Sequence, residues 1–208
     1  MNRTYGQACP VAHALDVLGD RWAMLVLRDL RLGPKRFTDL AAGLPGIAPT
    51  VLTQRLRDLV THGVVERREL APPAASTVYA LTARGRELEP VFRELAAWGM
   101  GGTLAGVVPP DPAVLGLRRS FRPSGPPWTA TVLLRVDRET YTARVVDGAL
   151  ETLERGDAAA ADAVLTGTPA ALHSAAGGSS PEEVGLIVDG DRGAAERFLA
   201  SVGDPRQR

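Results

Sequence analysis

The apolar residues of the first hundred positions recur mostly every three or four residues, a spacing that predicts amphipathic helices. The clearest pattern lies in residues 50–62, where Leu52, Leu56 and Leu59 share one side and Gly63 follows as a stop signal. The same spacing predicts helices over residues 11–18, 22–32, 37–44 and 83–98. The N-terminal half is therefore expected to be mainly helical.

Before the last of these helices the apolar period changes to two, which is typical of strands. Residues 64–70 and 77–82 are predicted to form a hairpin around residues 71–76, a loop whose prolines prevent ladder pairing. Helices followed by a hairpin in this order predict a winged helix-turn-helix. In that fold one helix lies in the DNA major groove and the hairpin reaches the flanking backbone.

A stretch rich in glycine and proline, residues 98–112, predicts a linker, so we expect two domains, 1–102 and 103–208. After a short helix over residues 113–121, apolar and polar positions alternate, which predicts a sheet. Strands are expected at 129–136, 140–146, 149–154, 162–167 and 185–189, and helices at 169–176 and 191–202. The predicted fold class is α+β.

Composition narrows the class of protein. The 208 residues are 45% hydrophobic and 23% charged, as in soluble folded chains, and no apolar run approaches the roughly 20 residues of a membrane span. The single cysteine permits no internal disulfide, and the first residues carry no apolar secretory segment, so we expect a cytoplasmic location. Residues 1–100 carry 13 basic against 10 acidic side chains, a net charge of +3, and residues 101–208 carry −3. The basic half is the better match for a polyanion such as DNA.

The side of the 50–62 helix opposite its leucines carries hydroxyls, a carboxamide and a guanidinium. These residues are Thr50, Gln54, Arg57 and Thr61, with Thr53 at the margin of the leucine side. Because Gln pairs bidentately with adenine and Arg with guanine, this side is predicted to contact base edges. Nearby basic residues are predicted to contact phosphates, which set register and salt dependence. They are Lys35, Arg36, Arg55, Arg67 and Arg68. The alternative is an ordinary solvated polar face.

Several motifs occur in order along the first half. They include Leu15-Asp16-Val17-Leu18-Gly19-Asp20-Arg21-Trp22, Arg36-Phe37-Thr38-Asp39-Leu40, Leu44-Pro45-Gly46-Ile47, Leu52-Thr53-Gln54-Arg55-Leu56 and Tyr79-Ala80-Leu81-Thr82. Together they resemble the HxlR family of bacterial winged-helix regulators over residues 9–99. The resemblance implies a dimeric transcription factor whose first and last helices pair across a two-fold axis. The apolar face of residues 88–98 agrees, since it would otherwise stay exposed.

One position departs from the family pattern. The family usually carries Ser after the Leu-Pro-Gly-Ile turn, where its hydroxyl caps the recognition helix, and this chain has Ala48-Pro49 there. Alanine cannot cap a helix, whereas proline suits the first helical turn. Thr50 is the predicted substitute cap, one step later.

Cys9 precedes Pro10 at the start of the first predicted helix. Backbone amides at a helix N-terminus favour a thiolate, which is the reactive form of cysteine. The family resemblance implies a candidate redox-sensing role, because some members carry an oxidant- or electrophile-sensing cysteine at this place. The alternative is a half-buried thiol that packs near the dimer interface.

The second half carries shorter motifs. They are Arg144-Val145-Val146-Asp147-Gly148, Ala161-Asp162-Ala163-Val164-Leu165-Thr166-Gly167 and Val188-Asp189-Gly190-Asp191. These resemble the sterol-carrier-protein type 2 family over about residues 111–203. That family implies a small, mainly antiparallel sheet backed by helices, with an apolar tunnel for lipids, sterols or fatty acyl groups. The candidate lining residues carried over are Leu133, Val146, Leu165, Leu172, Leu186, Val188, Phe198 and Leu199. Ordinary core packing is the alternative for each.

The sequence offers no catalytic pattern. His13, His62 and His173 have no second histidine or carboxylate at zinc-ligand spacing. The segment Gly177-Gly178-Ser179-Ser180 lacks the lysine of a phosphate loop. We therefore expect no enzymatic activity, no metal and no cofactor.

These patterns predict a homodimeric, DNA-binding transcriptional regulator that is controlled by an apolar, lipid-like ligand in its C-terminal domain. Two alternatives stay open. One is a lipid carrier whose N-terminal domain only dimerises. The other is a regulator that senses through Cys9 and uses the C-terminal domain for dimerisation.

Overall fold

The computed structural model describes residues 4–70, 76–102, 106–123 and 125–203. The chain divides into two compact units, Met1–Leu104 and Ala105–Arg208. The first unit is mainly helical, and the second contains a five-stranded sheet. The predicted α+β class is confirmed.

Helices and a two-stranded sheet build the first unit. They are α1 (Pro10–Leu18), α2 (Ala23–Asp29), a 3-10 turn (Leu30–Leu32), α3 (Phe37–Gly43), α4 (Pro49–Thr61), β1 (Val65–Glu69), β2 (Thr77–Leu81), α5 (Ala83–Arg86) and α6 (Glu89–Gly99). The helix predicted over residues 83–98 is divided into α5 and α6. Pro90 lies in the first turn of α6, and a proline there removes an N–H and clashes with the carbonyl of Arg86, so α5 cannot continue.

The leucine side of α4 forms the centre of the first core. Leu52, Leu56 and Leu59 are fully buried and pack with Val26 and Leu27 of α2. The helix begins at Pro49 after Ala48, which makes no side-chain cap, so the prediction that Thr50 caps the helix is wrong. Proline starts the helix instead, because its missing N–H would have no partner there and its φ is already helical. This packing leaves the opposite side of α4 facing outward.

The hairpin pairs β1 with β2 in antiparallel register, from Val65 opposite Leu81 to Glu69 opposite Thr77. Tyr79 also exchanges backbone hydrogen bonds of 3.0 and 2.8 Å with Lys35, so the chain before α3 adds a third, short edge. Of the predicted loop, residues 71–75 lie outside the described residues. The hairpin is thereby joined to the segment before α3 at the middle of β2.

The described residues of the second unit form a sheet and three helices. Its elements are α7 (Pro110–Ser120), β3 (Ala130–Val136), β4 (Glu139–Val146), β5 (Ala149–Arg155), β6 (Ala163–Gly167), α8 (Pro169–Ala176), β7 (Ile187–Gly190) and α9 (Arg192–Val202). The strand order is β5-β4-β3-β6-β7, and only the β3/β6 pair is parallel. The last strand starts later than predicted, because Gly185 has a positive φ of 73° and the Leu186 N–H donates to Pro181.

Strand alternation gives the sheet two distinct faces. Leu134, Tyr141 and Leu165 are register partners and share one buried face. The Tyr141 hydroxyl donates to Asp111 of α7 at 2.6 Å, so this is the face that the helices cover. The next residue, Leu133, pairs with Thr142 and belongs to the other face.

Candidate nucleic-acid interface

The outward side of α4 is polar and accessible. Thr50, Gln54 and Arg57 are exposed, and Thr53 is half-buried with its hydroxyl donating to the Pro49 carbonyl at 2.8 Å. Within the described part of the chain, Arg57 has no hydrogen-bond or ion-pair partner. The guanidinium of Arg57 is therefore free to reach a base or a phosphate.

A polar network on α4 was not predicted from the sequence. The Gln54 carboxamide donates through Nε2 to Oδ1 of Asp58 at 2.8 Å. The other carboxylate oxygen of Asp58 is 3.2 Å from the guanidinium of Arg55, which is also 3.4 Å from Asp20. The i,i+4 spacing of Gln54 and Asp58 was the available signal, since such pairs face each other on a helix.

The network borders an open groove between α1 and α4. The groove has a volume of about 1120 Å³ and is lined mostly by polar side chains, with carboxylates from Asp16, Asp20 and Asp58. Asp16 is already bound by the N-terminal segment, since its carboxylate accepts hydrogen bonds from Thr4 and Tyr5 at 2.9 Å each. The groove therefore adds acidic groups beside the outward side of α4.

Lys35 was predicted to contact phosphate, and the structure contradicts this. Its side chain is only 3% exposed, and Nζ lies 3.5 Å from Oδ2 of Asp29, which is itself buried. The other oxygen of Asp29 pairs with Arg28 at 2.8 Å. A buried ammonium beside a carboxylate cannot reach DNA without breaking the ion pair. Lys35 thus belongs to the structural core.

Three other arginines predicted to contact phosphate differ in whether their guanidinium groups already pair with a carboxylate. Arg36 is exposed directly before α3. Arg67 pairs with Glu69 at 3.1 Å, and Arg68 pairs through Nε with Glu66 at 3.0 Å. Because neighbouring residues of β1 alternate, the two arginines lie on opposite faces of the hairpin.

Exposed apolar stripes run along α1 and α6. Val91, Leu95 and Trp98 form one stripe on α6, and Trp98 is 83% exposed. On α1, Val11 and Leu15 form a second stripe, with Val11 67% exposed. Large apolar side chains at i, i+4 and i+7 that remain in water mark a surface suited to a partner.

Cys9 lies at the N-terminal boundary of α1. It is the last residue before the helix, its thiol makes no capping hydrogen bond, and it is half-buried and not in a disulfide. The thiol is therefore accessible in part, two residues from the exposed Val11.

The candidate ligand residues of the C-terminal unit do not share one face. Leu165 and Val188 are register partners on the face that the helices cover. Four further candidates, which are Leu172, Leu186, Phe198 and Leu199, are all buried. Leu133 and Val146 lie on the opposite face, because they alternate with the helix-facing residues of their strands. The eight predicted ligand residues therefore do not share one face of the sheet, and Leu133 and Val146 are separated from Leu165 and Val188.

The described residues contain neither a candidate metal cluster nor a candidate membrane span. No group of three or more His, Cys, Asp or Glu side chains there could hold a metal ion. No helix in those ranges is long and apolar enough to cross a membrane.

Comparison with known proteins gives matches to helix-turn-helix regulators. The HxlR-like helix-turn-helix family matches residues 17–103, downstream of Cys9. The uncharacterized HTH-type transcriptional regulator sll1512 of Synechocystis is 44% identical over 87 residues, which are 42% of this chain and 64% of that protein. The HTH-type transcriptional regulator YodB of Bacillus subtilis is 37% identical over 91 residues, 43% of this chain and 81% of YodB. The solved reduced form of B. subtilis YodB matches 49% of this chain and 100% of its own, with 34% identity and a TM-score of 0.42. On the identity to YodB over four fifths of its length, together with the family match, this chain belongs to the HxlR-like helix-turn-helix family.

Proposed function

We propose that this chain is a DNA-binding transcriptional regulator that reads double-stranded DNA through α4. The observation that carries the proposal is the pair of exposed side chains, Gln54 and Arg57, on a helix whose other side is fixed in the core. These are the residue types that contact adenine and guanine edges in the major groove. Arg36, directly before α3, would add a phosphate contact. Such a regulator works on chromosomal DNA in the cytoplasm and performs no enzymatic reaction.

The regulator acts as a homodimer formed by α1 and α6. The apolar stripes with Val11 on α1 and Trp98 on α6 support this, because burial of large apolar side chains is the main source of association free energy. A two-fold dimer presents two copies of α4 to successive major grooves. The operator should then contain half-sites about one helical turn apart.

The C-terminal domain, residues 103–208, binds an apolar ligand of the kind that sterol-carrier-like domains take. The mainly antiparallel sheet with helices on one face supports this assignment. The ligand would lie between that face and the helices, near Leu165, Val188 and Phe198. Bound ligand would change DNA affinity if it favours one dimer geometry over another. The DNA-binding and dimerisation domain then comprises residues 1–102.

Thiol sensing by Cys9 is a second candidate function. The free thiol stands at the start of α1, two residues from the exposed Val11 of the proposed dimer helix. Oxidation or alkylation there would add a bulky or charged group beside the dimer contact. This sensing mode needs no ligand in the C-terminal domain.

The test is selection from a pool of random duplexes, followed by gel-shift titration with and without lipids extracted from cells. A regulator enriches a two-fold symmetric sequence and binds it far more tightly than a scrambled duplex at the same salt. Absence of any enriched sequence at low salt would contradict DNA reading. A lipid carrier would retain apolar ligand in native mass spectra yet show no sequence preference. Operator affinity that is unchanged by every bound lipid would contradict ligand control.

A further inference from the structure

We propose that Asp58 is a positioning residue, which holds the carboxamide of Gln54 in the orientation that recognises adenine. The inference rests on the proposed DNA-reading role of α4. It concerns which base that helix selects, and it gives Asp58 a role although its own carboxylate would not touch the DNA.

The hydrogen bond fixes which end of the carboxamide faces outward. A glutamine side chain carries two N–H donors on Nε2 and one acceptor oxygen, Oε1. A carboxylate only accepts, so Asp58 Oδ1, 2.8 Å from Nε2, selects the amide orientation with nitrogen toward Asp58. One N–H and Oε1 then remain available.

The remaining N–H and the Oε1 of Gln54 match the major-groove edge of adenine. Adenine presents an acceptor at N7 and a donor at N6, which match a remaining N–H and Oε1. Guanine presents acceptors at both N7 and O6. The Oε1 of a held Gln54 would meet O6 of guanine as acceptor against acceptor. The held orientation therefore favours adenine over guanine.

Asp58 is itself held by neighbours. Its second oxygen, Oδ2, is 3.2 Å from Arg55, which also lies 3.4 Å from Asp20. Asp20 is fixed in turn by the backbone N–H of Trp22, which donates to it at 3.0 Å. Arg55 also offsets the charge of a carboxylate that would otherwise repel the DNA backbone. In this arrangement Arg55 serves as a counter-ion to two carboxylates and not as a phosphate contact.

Two other polar side chains of α4, those of Thr53 and Arg57, are not held by a carboxylate as Gln54 is. The Thr53 hydroxyl donates back to its own helix, and Arg57 has no partner among the described residues. A Gln–Asp pair at i,i+4 also stabilises a helix slightly, so a change in stability does not test the proposal. A readout on the base itself is needed.

The experiment uses the full-length chain and an operator selected by that chain from random duplexes. Each operator adenine is replaced in turn by 7-deazaadenine, which has C–H in place of N7. At one adenine per half-site the wild type should lose about fivefold in affinity, the value of one hydrogen bond. Asp58→Ala should reduce this penalty to below about twofold. Asp58→Glu should retain it, because it keeps an acceptor-only carboxylate at the same helical position.

A double-mutant cycle separates positioning from a general charge effect. Gln54→Ala should bind the adenine and the 7-deazaadenine operators with equal affinity. Adding Asp58→Ala to that variant should leave the ratio of these two affinities unchanged. Loss of the acidic group raises affinity for both duplexes alike, so it cancels in that ratio. Circular dichroism of each variant checks that the fold is intact.

The outcomes distinguish this inference from the proposed function. An equal 7-deazaadenine penalty in wild type and Asp58→Ala overturns the inference alone. A wild type that enriches an operator but has no sensitive adenine also overturns it. A wild type that enriches no sequence overturns the proposed function, and the inference falls with it.

Discussion

Replacing Lys35 by methionine tests the distinction between a core cation and a DNA contact. The change keeps an unbranched side chain, shorter by one atom, and removes the ammonium that lies 3.5 Å from the Asp29 carboxylate. Removal of one partner from a buried ion pair typically costs about 3–5 kcal/mol, because the other charge stays buried. Asp29 retains Arg28 at 2.8 Å, so we expect the lower end, about 3 kcal/mol in the free energy of unfolding.

Native-state hydrogen exchange of the α2 amides measures this loss, because it reports the opening of the N-terminal unit alone. The matched control is Arg36→Met, a neighbouring exposed cation, which should change the unfolding free energy by less than about 0.5 kcal/mol. Arg36→Met should instead lower the slope of log affinity against log salt by about 0.9, the value of one phosphate contact. Lys35→Met should leave that slope unchanged. A stable Lys35→Met variant with a reduced salt slope would refute the reasoning.

Three other changes test the dimer, the C-terminal core and the thiol. Leu95→Glu places a charge in the exposed stripe of α6 and should give a monomer in analytical ultracentrifugation, whereas the adjacent Glu94→Gln should remain a dimer. Burial, and next the Asp111 carboxylate, raise the pKa of Tyr141 above its ordinary value of 10.0, so the folded state holds that proton more tightly. The stability of the C-terminal unit should therefore be full below about pH 10 and fall as pH rises above it, as followed by Trp128 fluorescence in guanidinium titrations. Tyr141→Phe should remove that pH dependence and cost about 2 kcal/mol at neutral pH, the value of a hydrogen bond to a charged acceptor. Cys9→Ser should leave operator affinity unchanged and should abolish any response to diamide only if the thiol is the sensor.

Each of these predictions has a contradicting result. Sedimentation of the wild type as a monomer would contradict the proposed homodimer. An alkaline stability profile that is the same for wild type and Tyr141→Phe would mean that another group controls it. A full diamide response in Cys9→Ser would exclude the thiol as the sensor.

The buried and outward sides of α4 were predictable from the sequence, because the helical period alone decides which of its residues share a side. Leu52, Leu56 and Leu59 follow the helical period, and all three are buried as that period requires. The outward position of Gln54 follows from the same geometry. Local periodicity was therefore sufficient to orient α4.

The features that depend on a turn or on strand pairing were not predictable in this way. Lys35 is a surface residue by type, and it is buried because tertiary packing brings the Asp29 carboxylate to it across the turn at Gly33, whose φ is 121°. Leu133 and Val146 are apolar like the other candidate ligand residues, and only the strand register shows that they lie on the opposite face. For these two residues the apolar type was consistent with a position inside the protein, whereas the face of the sheet on which they lie follows from strand pairing.

The DNA-binding role proposed for α4 depends on Gln54 and Arg57. The most direct measurement is the affinity of Gln54→Ala/Arg57→Ala for the operator selected by wild type, with the exposed Arg93→Ala on α6 as a matched control. Two lost base contacts should weaken binding by at least about 30-fold, while Arg93→Ala should bind as wild type does. Operator affinity in the double variant equal to that of wild type would contradict the account.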